Sequence, residues 1–168
     1  MSGTIRTTRE CSVERLDPRL LRAFQDYVQM HRLGDLRREA LLCCETLTER
    51  SGRSRLAAWL EGNPDEKDFL GLVLTEQHLF WARTGKRSGT VAAGGQLKDI
   101  RVNRYSSRFP KESGLEISGF VLGSKDWVRG KLALGPEPAA VRFCEQACEA
   151  SEKHQPPAKK FRIPWLKS

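Results

Sequence analysis

No stretch of this 168-residue chain approaches the roughly 20 consecutive apolar residues that a membrane-spanning helix needs. The first residues, Met1-Ser-Gly-Thr-Ile-Arg6, contain no apolar segment of the length a secretory leader uses. Both absences lead to the expectation of a cytoplasmic protein, with peripheral attachment at a membrane surface as the one membrane option. Cysteine is scarce and poorly arranged for cross-linking. There are five, an odd number, and Cys43 and Cys44 are neighbours, so no disulfide framework is indicated. A zinc site wants spaced ligand pairs with further ligands nearby. Cys144 and Cys148 are one helical turn apart, but His31, His78 and His154 are scattered. The cysteines therefore read as small apolar core residues, with neither a metal nor a cofactor expected.

Catalytic signatures are missing as well. No Gly-x-x-x-x-Gly-Lys-[Ser/Thr] loop offers backbone N–H groups to phosphates, and Gly94-Gly95 has no helix pattern after it. No serine is framed as Gly-x-Ser-x-Gly, and no His-Glu-x-x-His occurs. Asp65, Glu66 and Asp68 cluster in what reads as a loop, where solvated carboxylates are ordinary. Cys43 would be reactive if a cation lowered its pKa, yet nothing in the sequence nominates a partner for it. The expectation is a protein that is not an enzyme.

Positive charge is the first thing the chain does have. The net charge of +8 is uneven, with residues 66–112 and the tail 151–168 carrying +4 each. Such a balance suits an anionic partner, and it equally suits solubility alone. Arg101, Arg104, Arg108 and Lys111 follow one another, interleaved with Tyr105 and Phe109. Cations beside exposed aromatics on a sheet can hold a phosphate backbone and stack bases, which makes nucleic acid one candidate partner.

Periodicity supplies the rest. Asp17-Pro18 opens a helix, because Asp caps orphan N–H groups and Pro is tolerated in the first turn. Leu20, Phe24, Tyr27, Val28 and His31 form its apolar stripe, Gly34 is placed to end it, and Asp35 to cap a short second helix reaching Leu42. Residues 1–16 are polar and read as poorly ordered. Glu45–Glu49 alternates as a strand, Arg50–Arg55 reads as a loop, and Leu56–Leu60 as the returning strand. Phe69–Arg83 holds two apolar runs around Thr75-Glu76-Gln77, the pattern of a tight hairpin. Further strands are expected at Thr90–Ala93, Leu97–Tyr105, Leu115–Val121 and Val128–Leu134. Pro136-Glu137-Pro138 then starts a helix whose apolar face is Ala140, Phe143, Cys144 and Ala147. A run of strands followed by one helix argues against a parallel sheet. The expected class is α+β, mainly antiparallel β. Its architecture would be a bent sheet or small barrel of about seven strands capped by the C-terminal helix, with an extra N-terminal helix.

Three segments carry a resemblance: Gly71-Leu-Val-Leu-Thr-Glu-Gln-His-Leu-Phe-Trp81, Gly95-Gln-Leu-Lys-Asp-Ile-Arg-Val102 and Ala139-Ala-Val-Arg-Phe-Cys-Glu-Gln-Ala147. Together they resemble the pleckstrin-homology-like domains, in particular the bacterial PH and GRAM-like group. The resemblance implies a division into an N-terminal segment and helix (1–40), a PH-like domain (41–151) and a basic, Pro-containing tail (152–168). It also implies a non-enzymatic interaction module, with a protein partner as the first reading. The lipid-binding members hold phosphates on basic hairpin loops. The matching positions here are Arg50, Arg53 and Arg55 in the first loop and Arg83, Lys86 and Arg87 at the exit of the next hairpin, which makes anionic phospholipid or phosphate the alternative ligand. Glu45 and Glu49 stand just before the first loop and weaken anion capture. The tail interleaves Lys159, Lys160 and Arg162 with Phe161 and Trp165, a composition suited to an anionic membrane interface, to a protein groove or to packing on its own domain.

Overall fold

The hairpin expected around Thr75–Gln77 is present in the computed structural model, which describes residues 3–52, 54, 56, 60, 62, 65–108 and 111–156. The Thr75 N–H donates to the His78 carbonyl at 2.9 Å, and Thr75 Oγ1 accepts from the His78 N–H at 3.0 Å. The described elements run β1 (Gly3–Glu10), a 3-10 turn (Val13–Arg15), α1 (Pro18–Met30), α2 (Leu36–Glu39) and β2 (Leu42–Ser51). They continue with β3 (Lys67–Leu74), β4 (His78–Gly85), β5 (Gly89–Gln96), β6 (Ile100–Arg108), β7 (Lys111–Phe120), β8 (Trp127–Leu134) and α3 (Pro138–His154). All pairing is antiparallel, in a five-stranded sheet ordered β1-β2-β3-β4-β5 and a three-stranded sheet ordered β6-β7-β8. The α+β class is as expected. The described strands do not close into a barrel; they form two separate sheets that face each other.

Side-chain alternation decides which face each strand buries. On one face of the large sheet, Leu42 and Cys44 of β2, Leu70, Leu72 and Leu74 of β3 and Leu79 of β4 join Val102, Leu115 and Ile117 of the small sheet. The stripe Ala140, Phe143, Cys144 and Ala147 of α3 closes this core, and Phe143 is 0% exposed. Fully burying such a side chain is worth about 1.5–3 kcal/mol, enough to fix the helix to the sheets. On the opposite face, Leu20 and Phe24 of α1 pack with Cys43, Val73, Phe80 and Ala82 in a second core. Gly71 permits this close approach, since a Cβ there would meet the Phe24 ring at 3.0 Å.

Five local expectations need correction. Residues 3–10, expected to be poorly ordered, form β1 and pair with β2 from Gly3↔Ser51 to Glu10↔Cys44. Leu56–Leu60 is not the partner of β2. That strand sits between β1 and β3, while Leu56 and Leu60 lie exposed outside the strands, and 57–59 fall outside the described residues. α1 ends at Met30 rather than near Gly34, because Arg32 takes the left-handed conformation (φ 54°) and the Leu33 N–H reaches back to the Val28 carbonyl at 2.8 Å. α2 is a single turn, capped by Asp35 as expected, but it ends at Glu39 rather than Leu42, which already opens β2. The strand expected from Leu97 begins instead at Ile100, after a turn in which the Asp99 N–H bonds the Gln96 carbonyl.

β1 also reaches the far end of the chain. Thr8 Oγ1 lies 2.7 Å from Thr46 Oγ1 and accepts the Gly135 N–H at 2.8 Å. The Thr8 N–H donates to Glu137 Oε2, the residue that precedes α3. Arg6 pairs with Glu112 at 2.8 Å, and Arg142 of α3 pairs with Glu10.

Candidate functional site

Two of the basic residues expected at the hairpin loops, Arg50 and Arg83, converge, but onto an acid. Leu70, Leu72 and Leu74 point into the inter-sheet core, so alternation puts Asp68 on that same inner face, at its end. Asp68 stands opposite Thr48 on β2 and Gly85 on β4. From two residues along each neighbouring strand, Arg50 and Arg83 reach it diagonally. Arg50 Nη1 lies 2.6 Å and Arg83 Nη2 2.8 Å from Asp68 Oδ2. The side chains of Asp68 and Arg50 are 3% and 8% exposed, whereas Arg83 is 52% exposed. Burial pushes the Asp68 carboxyl up, and the hydrogen bonds and charges of Arg83 and Arg50 outweigh it, holding the group below the usual carboxylate range.

Asp65 organises the next turn. Its carboxylate accepts from the Arg87 N–H at 2.7 Å, the Ser88 N–H at 3.0 Å and the Ser88 hydroxyl at 2.5 Å. Burial raises its pKa, and the Ser88 and Arg87 bonds overcome this and leave it lowered. Asp65 and Asp68 are therefore not the solvated loop carboxylates expected; Glu66 between them is exposed. Of the proposed anion-binding set, Arg50 and Arg83 are engaged by Asp68, and Lys86 and Arg87 are exposed on the β4–β5 turn. Arg53 and Arg55 lie outside the described residues, as do Phe109 and the tail positions Lys159, Lys160, Phe161, Arg162 and Trp165.

Two residues from Arg83, on the same face of β4, stands Trp81. It lines an apolar cleft of about 230 Å³ together with Ala93 of β5, Ile117 of β7, Val121, and Val128, Arg129, Gly130 and Leu132 of β8. Arg129 is held at the rim by Glu116 of β7. Phe120 and Trp127, each one residue from a cleft-lining valine, are 46% and 60% exposed, with ring centroids 5.5 Å apart. The sequence places Trp81 in a hairpin and does not mark the cleft. Trp81, Val128 and Leu132 could each be assigned to an inner strand face, but that two sheets leave a gap between them is written in no local pattern.

No protein-family model, curated protein or solved structure matches this chain. The cations considered for nucleic acid do not share one surface. Arg101 and Arg104 stand three positions apart on β6 and point to opposite faces. Arg104 approaches Glu145 of α3 at 3.6 Å, and Tyr105 is half-buried beneath Lys131, whose Nζ lies 5.0 Å from the ring centroid. Among the described residues no three His, Cys, Asp or Glu side chains converge as metal ligands, and no helix is long and apolar enough to cross a membrane.

Proposed function

We propose that this chain is a non-enzymatic interaction module of pleckstrin-homology-like type, and that it binds a protein by taking an apolar anchor side chain into the cleft around Trp81. The cleft carries this reading. Its volume of about 230 Å³ lies below the range of about 300–1,000 Å³ typical of small-molecule pockets, and it is lined mainly by Trp, Val, Ile, Leu and Ala. A pocket of that size and chemistry suits one buried anchor of a protein interface, with Phe120 and Trp127 extending the apolar contact area. Element order supports the PH-like reading: β2 to β5, then β6 to β8, then a closing helix over the gap between sheets.

Charge pairing favours protein over phosphate as the ligand. An anion approaching Arg50 or Arg83 must compete with Asp68, already within hydrogen-bond distance of both. The test is a photo-reactive residue in place of Val128, irradiated in host extract. A discrete protein adduct is expected, absent when the same residue replaces exposed Glu149 on α3 and lost when Leu132→Asp polarises the cleft. An adduct pattern that is the same at both positions would refute a partner seated at the cleft.

A further inference from the structure

We propose that Cys11 and Cys43 form a peroxide-sensitive dithiol that closes to a disulfide, stapling the exit of β1 to β2. The two residues lie 32 apart in sequence and face each other in space. The Cys11 N–H donates to the Cys43 carbonyl at 3.1 Å, extending the β1–β2 ladder one residue beyond Glu10↔Cys44. Directly opposed residues of an antiparallel pair have Cα atoms about 4.5–5.5 Å apart, inside the span of about 4.4–6.8 Å that a disulfide bridges. The sulfurs are 3.9 Å apart. Shortening to the covalent length of about 2.05 Å asks for under about 2 Å of sulfur travel, within reach of side-chain rotation.

The two thiols are not equivalent, and the difference assigns their roles. Cys11 is half-buried and accessible to a small oxidant, whereas Cys43 is buried beneath α1 and the 3-10 turn. The hydrogen bond between them lowers the Cys11 pKa and raises that of Cys43, and Cys11 is also the more exposed of the two, so Cys11 is the sulfur that ionises. The Cys11 thiolate attacks one oxygen of hydrogen peroxide. The S–O bond forms, the O–O bond breaks, and the departing hydroxide takes a proton to become water, leaving a sulfenic acid on Cys11. With the Cys11 anion gone, the largest influence holding the Cys43 proton is removed. Cys43 sulfur then attacks Cys11 sulfur, the S–O bond breaks, and the leaving hydroxide takes the Cys43 proton as a second water. In sum, two thiols and one peroxide give one disulfide and two waters. The other cysteines stand apart from this pair: Cys44 and Cys144 are buried in the inter-sheet core, and Cys148 packs against it. The closed loop contains α1 and α2, so oxidation would pin the helix that covers the outer face of the large sheet.

The test treats the reduced full-length chain with hydrogen peroxide and maps it by mass spectrometry after alkylation. A loss of about 2 Da is expected, with a cross-linked peptide joining Cys11 to Cys43 that dithiothreitol cleaves. Cys11→Ser, a substitution at the half-buried position, is expected to remove the link. Cys43→Ser is expected to leave a dimedone-reactive sulfenic acid on Cys11. No link in the wild-type chain, a link joining any other pair, or a dimedone label elsewhere than Cys11 in Cys43→Ser would each overturn the proposal. The wild-type map decides the matter even if Cys43→Ser does not fold.

Discussion

Asp68→Asn keeps the shape of a buried side chain and removes its charge, leaving Arg50 almost fully buried without this counter-ion. Removing one partner of a buried pair costs about 3–5 kcal/mol, mostly the penalty of the charge left behind. Arg83 adds little, because it is half-exposed and an exposed pair is worth about 0–1 kcal/mol. The side-chain amide of the variant still offers an oxygen to Arg50, and Arg50 Nη1 also approaches the Asp65 carbonyl at 3.4 Å, so the lower end of the range, about 3 kcal/mol, is expected. With a urea m-value of about 2 kcal/mol/M, the unfolding midpoint should fall by about 1.5 M. Equilibrium unfolding followed by far-ultraviolet circular dichroism measures this. A double-mutant cycle identifies the cause. In an Arg50→Met background Asp68→Asn should cost only about 1 kcal/mol, whereas in an Arg83→Met background it should cost nearly the full amount. A wild-type midpoint in Asp68→Asn, or the same cost with and without Arg50, would refute the argument that a buried Arg50–Asp68 pair secures this end of the sheet.

Acid should destabilise the protein through the same groups. Asp17, Asp65 and Asp68 all have folded-state pKa values below their ordinary one. Each contributes stability that is present above the unfolded value, near about 3.9, and lost as pH falls through the folded value. The urea midpoint should therefore begin to fall as pH drops toward about 4, and fall less steeply in Asp68→Asn; a midpoint indifferent to pH between about 2.5 and 5 would contradict this. Phe143→Ala should destabilise by about 3–5 kcal/mol, read from thermal unfolding, because the ring fills the junction of both sheets and α3. A loss under about 1 kcal/mol would mean that α3 is not anchored there.

The elements legible in the sequence were those whose periodicity is produced by burial. The α3 stripe, the α1 stripe and the Thr75–Gln77 hairpin each bury one face and show it. β1 was not legible because its burial is almost nil: of Gly3–Glu10 only Thr8 is buried, and the strand is held by backbone pairing at an edge, which leaves no alternation to read. Leu56–Leu60 misled in the opposite direction, since its apolar residues suggested a strand while Leu56 and Leu60 lie exposed. Asp68 was recoverable. It continues the alternation of Leu70, Leu72 and Leu74, and strand parity outranks the habit of placing carboxylates in water. The Cys11–Cys43 opposition was not recoverable, because it depends on the register of a strand whose existence the sequence does not announce.

Thr8 binds β2, the turn after β8 and the residue before α3 at a single point, so two distant ends of the described chain share one knot of hydrogen bonds. On a ribosome making this chain, Thr8 emerges 127 and 129 residues ahead of the groups it must meet on Gly135 and Glu137. The inner face of the five-stranded sheet, partly covered by β6 to β8, therefore lacks its full cover until α3 has cleared the exit tunnel. Folding of this unit waits for α3, and a nascent chain stalled short of Phe143 would present chaperones with an open apolar surface rather than a smaller native domain.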